Sequence, residues 1–229
     1  MGKKVLIVLT SADKIVPADK PTGWYLPELA HPYKVLVGAG FKDIDIISPK
    51  GGVAPLDPGS AEAFKEDSVC NWFLADATAK GLVANTKTPA QVKSSDYSAV
   101  LYPGGHGPMY DLATDAAVAK ITAEVYDKGG IVAAVCHGPA GLVPVKLSNG
   151  ESIVKGKNVT SFTNAEEDAV QLSQYMPFML ETKLKELGAN FQPAGLFEEK
   201  VVVDGRLITG QNPASSTTLG QKLVAQLKN

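Results

Sequence analysis

The chain has 229 residues, 45% hydrophobic and 20% charged, which is ordinary for a folded globular protein. Its formal net charge is −2 and its lysines and arginines are scattered, so charge gives no case for binding nucleic acid or an acidic membrane. The first apolar run, residues 5–9, is too short for a signal sequence or a membrane span. Two cysteines are few for a secreted chain, and we therefore expect a cytoplasmic protein.

Short apolar runs rich in β-branched residues alternate with longer segments of helical periodicity. In chain order, the sequence predicts strands at 4–10, 43–49, 99–105, 131–135 and 158–163, and helices at 24–40, 114–128, 138–143, 179–187 and 214–227. Nearly continuous valine, isoleucine and leucine runs indicate strands that are buried on both faces. Their alternation with helices predicts an α/β fold with a mostly parallel sheet.

Two further features complete this organisation. Residues 51–96 are long for a connection and contain a helical stretch near 68–82, so we interpret them as an insertion over one edge of the core, placed to act as a lid. The sequence predicts a hairpin over residues 201–209, because Asp204-Gly205 between two apolar runs suits a type I′ turn. We therefore expect a single domain over residues 1–229 that carries one inserted segment.

Polar residues gather where the predicted strands end. They are Glu28 in the first helix, the segment 103–111, the pair Cys136-His137, and the acidic segment 163–168. In an open α/β sheet, ligands bind beyond the carboxyl ends of the strands. Four polar features at four strand ends therefore predict one shared site.

Cys136 is the candidate nucleophile. It lies between a buried strand and a helix start, with small residues at Ala134 and Gly138, in a variant of the nucleophile elbow. Backbone N–H groups at the start of the following helix are expected to lower the pKa of the thiol. The alternative is a buried structural cysteine, which is also our interpretation of Cys70.

The glycine-rich segment PGGHG, residues 103–107, suits a backbone that approaches a ligand closely. The amide of Gly105 could join that of His137 in an oxyanion hole. We therefore predict that Gly105, His106 and Gly138 contact the substrate or its oxyanion. The alternative is an ordinary tight turn.

His137 is the candidate general base, provided that a carboxylate orients its ring. Glu167 is the predicted partner, with Glu166 and Asp168 as rivals, and a solvated helix start is the alternative interpretation of all three. Glu28 lies on an apolar helix face, where a carboxyl group needs a partner or a task, such as carrying protons for the substrate. The sequence predicts no metal and no cofactor.

These residues resemble a known family. Glu28 within TGWYLPELAHPY, the PGGHG loop and AVCHGPAGL together resemble the ThiJ/PfpI (DJ-one) superfamily, and the likeness extends over nearly the whole chain. The resemblance implies a flavodoxin-like fold of the class I glutamine amidotransferase type. It also implies a cysteine–histidine–glutamate constellation of Cys136, His137 and an acidic residue at Glu167, with Glu166 as the alternative.

The segments around Glu28 and after the second strand resemble the glyoxalase III branch, which includes heat-shock, chaperone-like members. This resemblance implies a lyase, D-lactate dehydratase, that converts methylglyoxal and related 2-oxoaldehydes to 2-hydroxy acids without glutathione. It also implies a homodimer. Two alternatives stay open, a cysteine hydrolase or protein deglycase and a redox-responsive chaperone in which Cys136 is oxidised. A small buried pocket would favour the glyoxalase, and a wide cleft would favour the hydrolase. An exposed apolar patch would favour the chaperone.

Overall fold

The computed structural model of the chain describes residues 3–229. Within them, six strands form the central sheet and two pairs of short strands lie apart from it. In chain order the strands are β1 (Val5–Val8), β2 (Lys14–Ile15), β3 (Lys20–Pro21), β4 (Ile44–Ile47), β5 (Ala99–Tyr102), β6 (Ile131–Val135), β7 (Asn158–Val159), β8 (Asn190–Phe191), β9 (Val201–Asp204) and β10 (Leu207–Gly210). The α-helices are α1 (Leu26–Gly38), α2 (Pro58–Ala63), α3 (Ser68–Ala75), α4 (Ala77–Ala84), α5 (Ala116–Asp127), α6 (Asn164–Ala169), α7 (Leu180–Glu186) and α8 (Ser216–Lys228).

The sheet has the order β4-β1-β5-β6-β10-β9. Every neighbouring pair is parallel except β10 and β9, which form an antiparallel hairpin at one edge. The predicted α/β class with a mostly parallel sheet is thereby confirmed. The chain leaves β1 toward β4 and leaves β5 toward β6, which lie in opposite directions, so a crevice opens beyond the carboxyl ends of β1 and β5.

The strands separate two apolar cores. Val5 and Ile7 of β1 pack with α1 and α8 on one face, whereas Leu6 and Val8 pack with α5 and α7 on the other. Because side chains alternate along a strand, a strand covered on both faces needs an apolar residue at every position. This burial explains the uninterrupted runs from which the strands were predicted.

Aspartates begin the helices of the inserted segment. The side chains of Asp57, Asp67 and Asp76 accept hydrogen bonds from backbone N–H groups in the first turns of α2, α3 and α4. The helical stretch predicted near 68–82 is confirmed and consists of two helices, because Asp76 adopts an extended conformation that ends α3 and caps α4. Both sides of this break are helical.

Three predictions need correction. Only Asn158–Val159 of the strand predicted at 158–163 forms a strand, and it pairs with β8 outside the central sheet. The hairpin loop is Gly205-Arg206 rather than Asp204-Gly205, and only Gly205 has a positive φ (60°), which is the pattern of a type II′ turn. The segment after Cys136 forms a short 3₁₀-helix, Gly138–Leu142, instead of the start of an α-helix.

Helix α1 positions Glu28 and is itself held by α8. Gly220 of α8 lies so close to α1 that a Cβ atom on it would be 2.9 Å from Cα of Pro32. A contact with backbone cannot relax by rotation of a side chain. The close approach of the two helices thus depends on the absence of a side chain at this position.

We predict that Gly220→Ala lowers the free energy of unfolding by about 1–3 kcal/mol, because the added methyl group pushes α8 away from α1. Gly81→Ala in the exposed helix α4 is the matched control, since a Cβ there meets nothing within 4 Å. It should stabilise the protein by about 0.5–1 kcal/mol. Urea unfolding of the two variants measures both values, and equal effects would contradict the packing argument.

Candidate active site

Cys136 lies on a sharp turn between β6 and the 3₁₀-helix. Its φ of 59° is in the left-handed region, which non-glycine residues rarely adopt. The conformation is fixed by its backbone, because its N–H donates to Gly210 O and its carbonyl accepts from Phe162 N, both at 2.9 Å. The cysteine is therefore held in a strained conformation of the kind expected of a nucleophile elbow.

Two histidines bind one carboxylate beside this cysteine. His137 Nε2 is 2.5 Å from Oε2 of Glu167, and His106 Nε2 is 2.8 Å from Oε1 of the same residue. The two imidazole rings lie with their centroids 4.2 Å apart. The structure thus places Glu167 in contact with His137, whereas the rivals Glu166 and Asp168 contact other groups.

The carboxylate decides which ring nitrogen of His137 carries a proton. Burial alone would raise the pKa of Glu167, but the two imidazoles outweigh it and hold this pKa well below its usual range. An ionised carboxylate only accepts hydrogen bonds, so Nε2 of each histidine is the donor. Burial lowers the pKa of His137, which leaves it neutral with a bare Nδ1. That nitrogen is 3.4 Å from Sγ of Cys136 and can accept its proton.

Glu28 approaches the cysteine from the first turn of α1. It is fully buried, and its Oε2 accepts a hydrogen bond of 2.7 Å from Gly104 N. Its Oε1 has no hydrogen-bond partner of normal geometry in residues 3–229, although the carboxyl group and the Cys136 thiol influence each other as neighbours. Burial raises the pKa of Glu28 to about 8, so this group is a neutral acid near pH 7.

The expected lowering of the Cys136 pKa is wrong. The thiol is buried and lies beside Glu28, and both features raise its pKa well above the usual value. The amide of His137 acts in the opposite direction but is outweighed. The helix start that was expected to stabilise a thiolate is only a five-residue 3₁₀-helix. The resting site therefore holds a thiol, which must lose its proton as it attacks.

The glycine-rich loop closes tightly on these groups. A Cβ atom on Gly104 would lie 2.6 Å from Oε2 of Glu28 and 2.7 Å from His137 N. Gly105 has a φ of 92° and lines the cavity described below. Within residues 3–229, the N–H groups of Gly105 and His137 donate to no oxygen atom. An oxyanion hole formed by these two amides stays a prediction.

Gly138, the third residue predicted to contact an oxyanion, does not line the cavity. Its Cα faces the backbone of β5, where a Cβ atom would be 2.2 Å from Tyr102 O. The position needs glycine because the turn packs against that strand. A contact of Gly138 with the substrate stays a prediction.

A cavity of about 340 Å³ opens above Cys136. Such a volume suits a small molecule, being near the lower end for ligand pockets. Its walls come from the loops after β3, β5, β6, β7, β8 and β10, from the inserted segment and from the end of α6, and they consist of Tyr25, Phe64, Gly105, His106, Cys136, His137, Phe162, Val170, Phe197, Asn212, Pro213 and Ala214. The cavity is therefore mostly apolar, with the polar groups collected at its base.

Glu166 holds the rim of this cavity, by which we mean the loops that carry Phe197 and Asn212. Its Oε1 accepts hydrogen bonds from Phe197 N, Gln211 Nε2 and Asn212 Nδ2, and its Oε2 accepts from the backbone and side chain of Thr163. Phe197 has a φ of 57° and remains 48% exposed at the cavity mouth. The carboxylate of Glu166 thus fixes the loop that carries Phe197.

The sequence interpretation did not include the aromatic residues of the cavity. Tyr25 stands three residues before Glu28. A polar aromatic residue just ahead of an apolar helix was the signal by which the sequence could have indicated its place in the site. Phe64 and Phe197 carry no local signal, because each reaches the cavity through the packing of a distant loop.

Two groups of side chains within residues 3–229 have donor atoms close enough together to hold a metal ion. One consists of His106, His137 and Glu167, and the other of His31, Asp67 and Cys70. In each group a histidine nitrogen and a carboxylate oxygen are already joined by a hydrogen bond. In both cases hydrogen bonding accounts for the arrangement.

The fold and the site together define an α/β protein with a buried cysteine, two histidines and two glutamates at the carboxyl edge of its sheet. The chain belongs to the DJ-1/PfpI family, whose profile matches residues 22–226. It is 32% identical to the glutathione-independent glyoxalase HSP31 of Saccharomyces cerevisiae, over 99% of both chains.

Solved structures show the same likeness. The structure of Rapid Encystment Protein 24 kDa from Francisella tularensis superposes with a TM-score of 0.93 at 38% identity, over 99% of this chain and 100% of that one. Glyoxalase III from Candida albicans superposes with a TM-score of 0.90 at 29% identity, over 97% and 96%. The resemblance found in the sequence, including its glyoxalase III branch, is confirmed.

Over residues 3–229, no helix combines the length and the apolar composition that a membrane span requires.

We predict that Glu28→Gln makes the free energy of unfolding less dependent on pH. Between the ordinary value of 4.5 and about 8, folded Glu28 keeps a proton that the unfolded chain has released, so stability falls by up to about 1.4 kcal/mol per pH unit. The stability of Glu28→Gln relative to the unsubstituted protein should therefore increase from pH 5 to pH 8 in urea titrations. The exposed Glu66→Gln is the control, and parallel curves for all three proteins would contradict the prediction.

Proposed function

We propose that this single-domain protein is a glutathione-independent glyoxalase that converts methylglyoxal and related 2-oxoaldehydes to 2-hydroxy acids. The observation that carries the proposal is the Cys136 thiol at the base of a small cavity, with His137 Nδ1 at 3.4 Å and the neutral carboxyl group of Glu28 on its other side. Glyoxalase names among relatives that match the whole chain support it.

In the first step, the sulfur of Cys136 adds to the aldehyde carbon C1 of the substrate. His137 Nδ1 accepts the thiol proton as the S–C1 bond forms and returns it to the aldehyde oxygen O1. The product is a hemithioacetal. The amides of Gly105 and His137 stabilise the negative charge on O1 while it develops.

In the second step, His137 removes the proton from C1, and the electrons form an enediolate with charge on the oxygen O2 of C2. His137 then gives this proton to O2. Glu28 delivers its proton to C2 and recovers one from O1, so that C1 becomes the carbonyl of a thioester. Each protein group returns to its starting state, and no oxidant or reductant is consumed.

In the last step, water adds to the thioester carbon, with His137 accepting its proton, and Cys136 leaves as the thiol. The net reaction is addition of one water to the 2-oxoaldehyde, which yields lactate from methylglyoxal. We assign the protein to the glyoxalase III-type lyases, D-lactate dehydratase, and propose a cytoplasmic homodimer as the family resemblance implies.

We predict that Cys136→Ala forms lactate from methylglyoxal at least roughly 10³-fold more slowly than the unsubstituted protein, because the covalent intermediate is lost. Lactate is measured without added glutathione, with an enzyme specific for each enantiomer. Cys70→Ala is the control, since the second thiol is buried and lies outside the cavity. Equal rates for Cys136→Ala and the unsubstituted protein would exclude the mechanism, and L-lactate as the product would exclude the D-lactate assignment.

We predict that Glu167→Gln lowers kcat by about 10²- to 10⁴-fold. The amide can present an N–H₂ group to His137 Nε2, which favours the tautomer with its proton on Nδ1, where it cannot accept the thiol proton. Asp168→Asn on the same short helix is the matched control and should retain activity. Activity of Glu167→Gln within twofold of the unsubstituted protein would contradict the role of the carboxylate.

One observation favours a second candidate, the redox-responsive chaperone. Val170 and Phe197 at the cavity, together with Leu196 next to Phe197 in the chain, are exposed apolar side chains of the kind that can contact a partner. Suppression of client aggregation that changes when the unsubstituted protein is oxidised, but does not change on oxidation of Cys136→Ala, would support this role. The hydrolase alternative is less consistent with a cavity of about 340 Å³, which leaves little room for a peptide.

A further inference from the structure

Tyr25 is a cavity residue that the steps above do not use. It immediately precedes α1, and its backbone N–H donates to Gly104 O at 3.1 Å. Its ring packs edge-on against Phe64, with centroids 6.0 Å apart and an interplanar angle of 82°. The main chain and the ring of Tyr25 are therefore both held, and its side chain belongs to the cavity wall.

The other polar side chains of the cavity are already committed. His106 and His137 donate their Nε2 protons to Glu167. The amide group of Asn212 donates to Glu166 Oε1 and to a backbone carbonyl. The thiol of Cys136 is consumed as the nucleophile.

The hydroxyl group of Tyr25, in contrast, makes no hydrogen bond to any of the residues 3–229. Among the side chains that line the cavity, it is thus the donor still available to a ligand. Burial raises its pKa, and nearby Cys136 and Glu28 raise it further, so the hydroxyl keeps its proton at neutral pH. Tyr25 lines the same cavity as Cys136 and His137, which places its side chain at the reacting centre.

A 2-oxoaldehyde has two oxygen atoms that acquire charge at different steps. The amides of Gly105 and His137 serve the aldehyde oxygen O1 while sulfur adds. When the C1 proton leaves, charge develops on the neighbouring oxygen O2, which needs a donor of its own. In the steps above, His137 transfers its proton to O2 only after the charge has developed, and Glu28 delivers its proton to C2. Among the side chains that line the cavity, the Tyr25 hydroxyl is the donor that these transfers leave unused.

We propose that the Tyr25 hydroxyl donates a hydrogen bond to O2, first in the bound substrate and then in the enediolate. This inference rests on the proposed function, and it makes Tyr25 a catalytic residue that recognises the carbonyl group next to the aldehyde. No covalent bond of Tyr25 is made or broken. The hydrogen bond strengthens as charge develops on O2, so it lowers the barrier to enolisation more than it tightens substrate binding.

The test is Tyr25→Phe, which removes the hydroxyl group and keeps the ring against Phe64. We expect kcat for methylglyoxal to fall about 10- to 100-fold, with a smaller change in KM. Tyr33→Phe is the matched control, because this tyrosine lies on α1 outside the cavity, and its kcat should be unchanged.

A second measurement separates loss of the hydrogen bond from damage to the site. Iodoacetamide alkylates the Cys136 thiol without using O2 of a substrate. In a Cys70→Ala background, the rate of this alkylation should be the same with and without Tyr25→Phe. Unchanged kcat would overturn the proposal, as would a fall of kcat and alkylation rate by the same factor. Lactate formation by the unsubstituted protein is measured in the same assay, and its absence would reject the proposed function itself.

Discussion

The site depends on one carboxylate held between two imidazoles. Glu167 joins the loops after β5 and β6, through His106 and His137, to the short helix α6. Its charge is stable in a buried place because both of its oxygens accept hydrogen bonds. From this follow the tautomer of His137 and the bare nitrogen beside Cys136.

The two glutamates of the site have opposite states for a common physical reason. Both are buried, but Glu167 receives two imidazole donors, whereas Glu28 receives one backbone donor and faces a thiol. Burial therefore prevails at Glu28 and keeps its proton, while hydrogen bonding prevails at Glu167 and removes it. A single fold thus supplies an acid and a permanent anion within one cavity, which is what a reaction that moves protons without a net charge change requires.

The sheet, its parallel strands and the place of Cys136 could be predicted, because burial on both faces and small residues at a turn leave a pattern in neighbouring positions. The choice between Glu166 and Glu167 could not, because both follow Thr163 in one helical turn and only the tertiary structure decides which faces His137. The raised pKa of Cys136 was missed for a similar reason, since it depends on Glu28, which is distant in sequence. The helical stretch near 68–82 could be predicted, but its division into α3 and α4 was missed because the cap at Asp76 was not recognised.

Helix α6 carries its two adjacent carboxylates in opposite directions, Glu166 into the hydrogen bonds of the rim and Glu167 into those of the histidines. A shift of this helix by one residue would exchange the two and leave both sets unsatisfied. The rim and the base of the cavity therefore form together or not at all. Evolution of the rim toward other substrates is then confined to side chains such as Phe197, because moving its backbone would displace the carboxylate on which the chemistry depends.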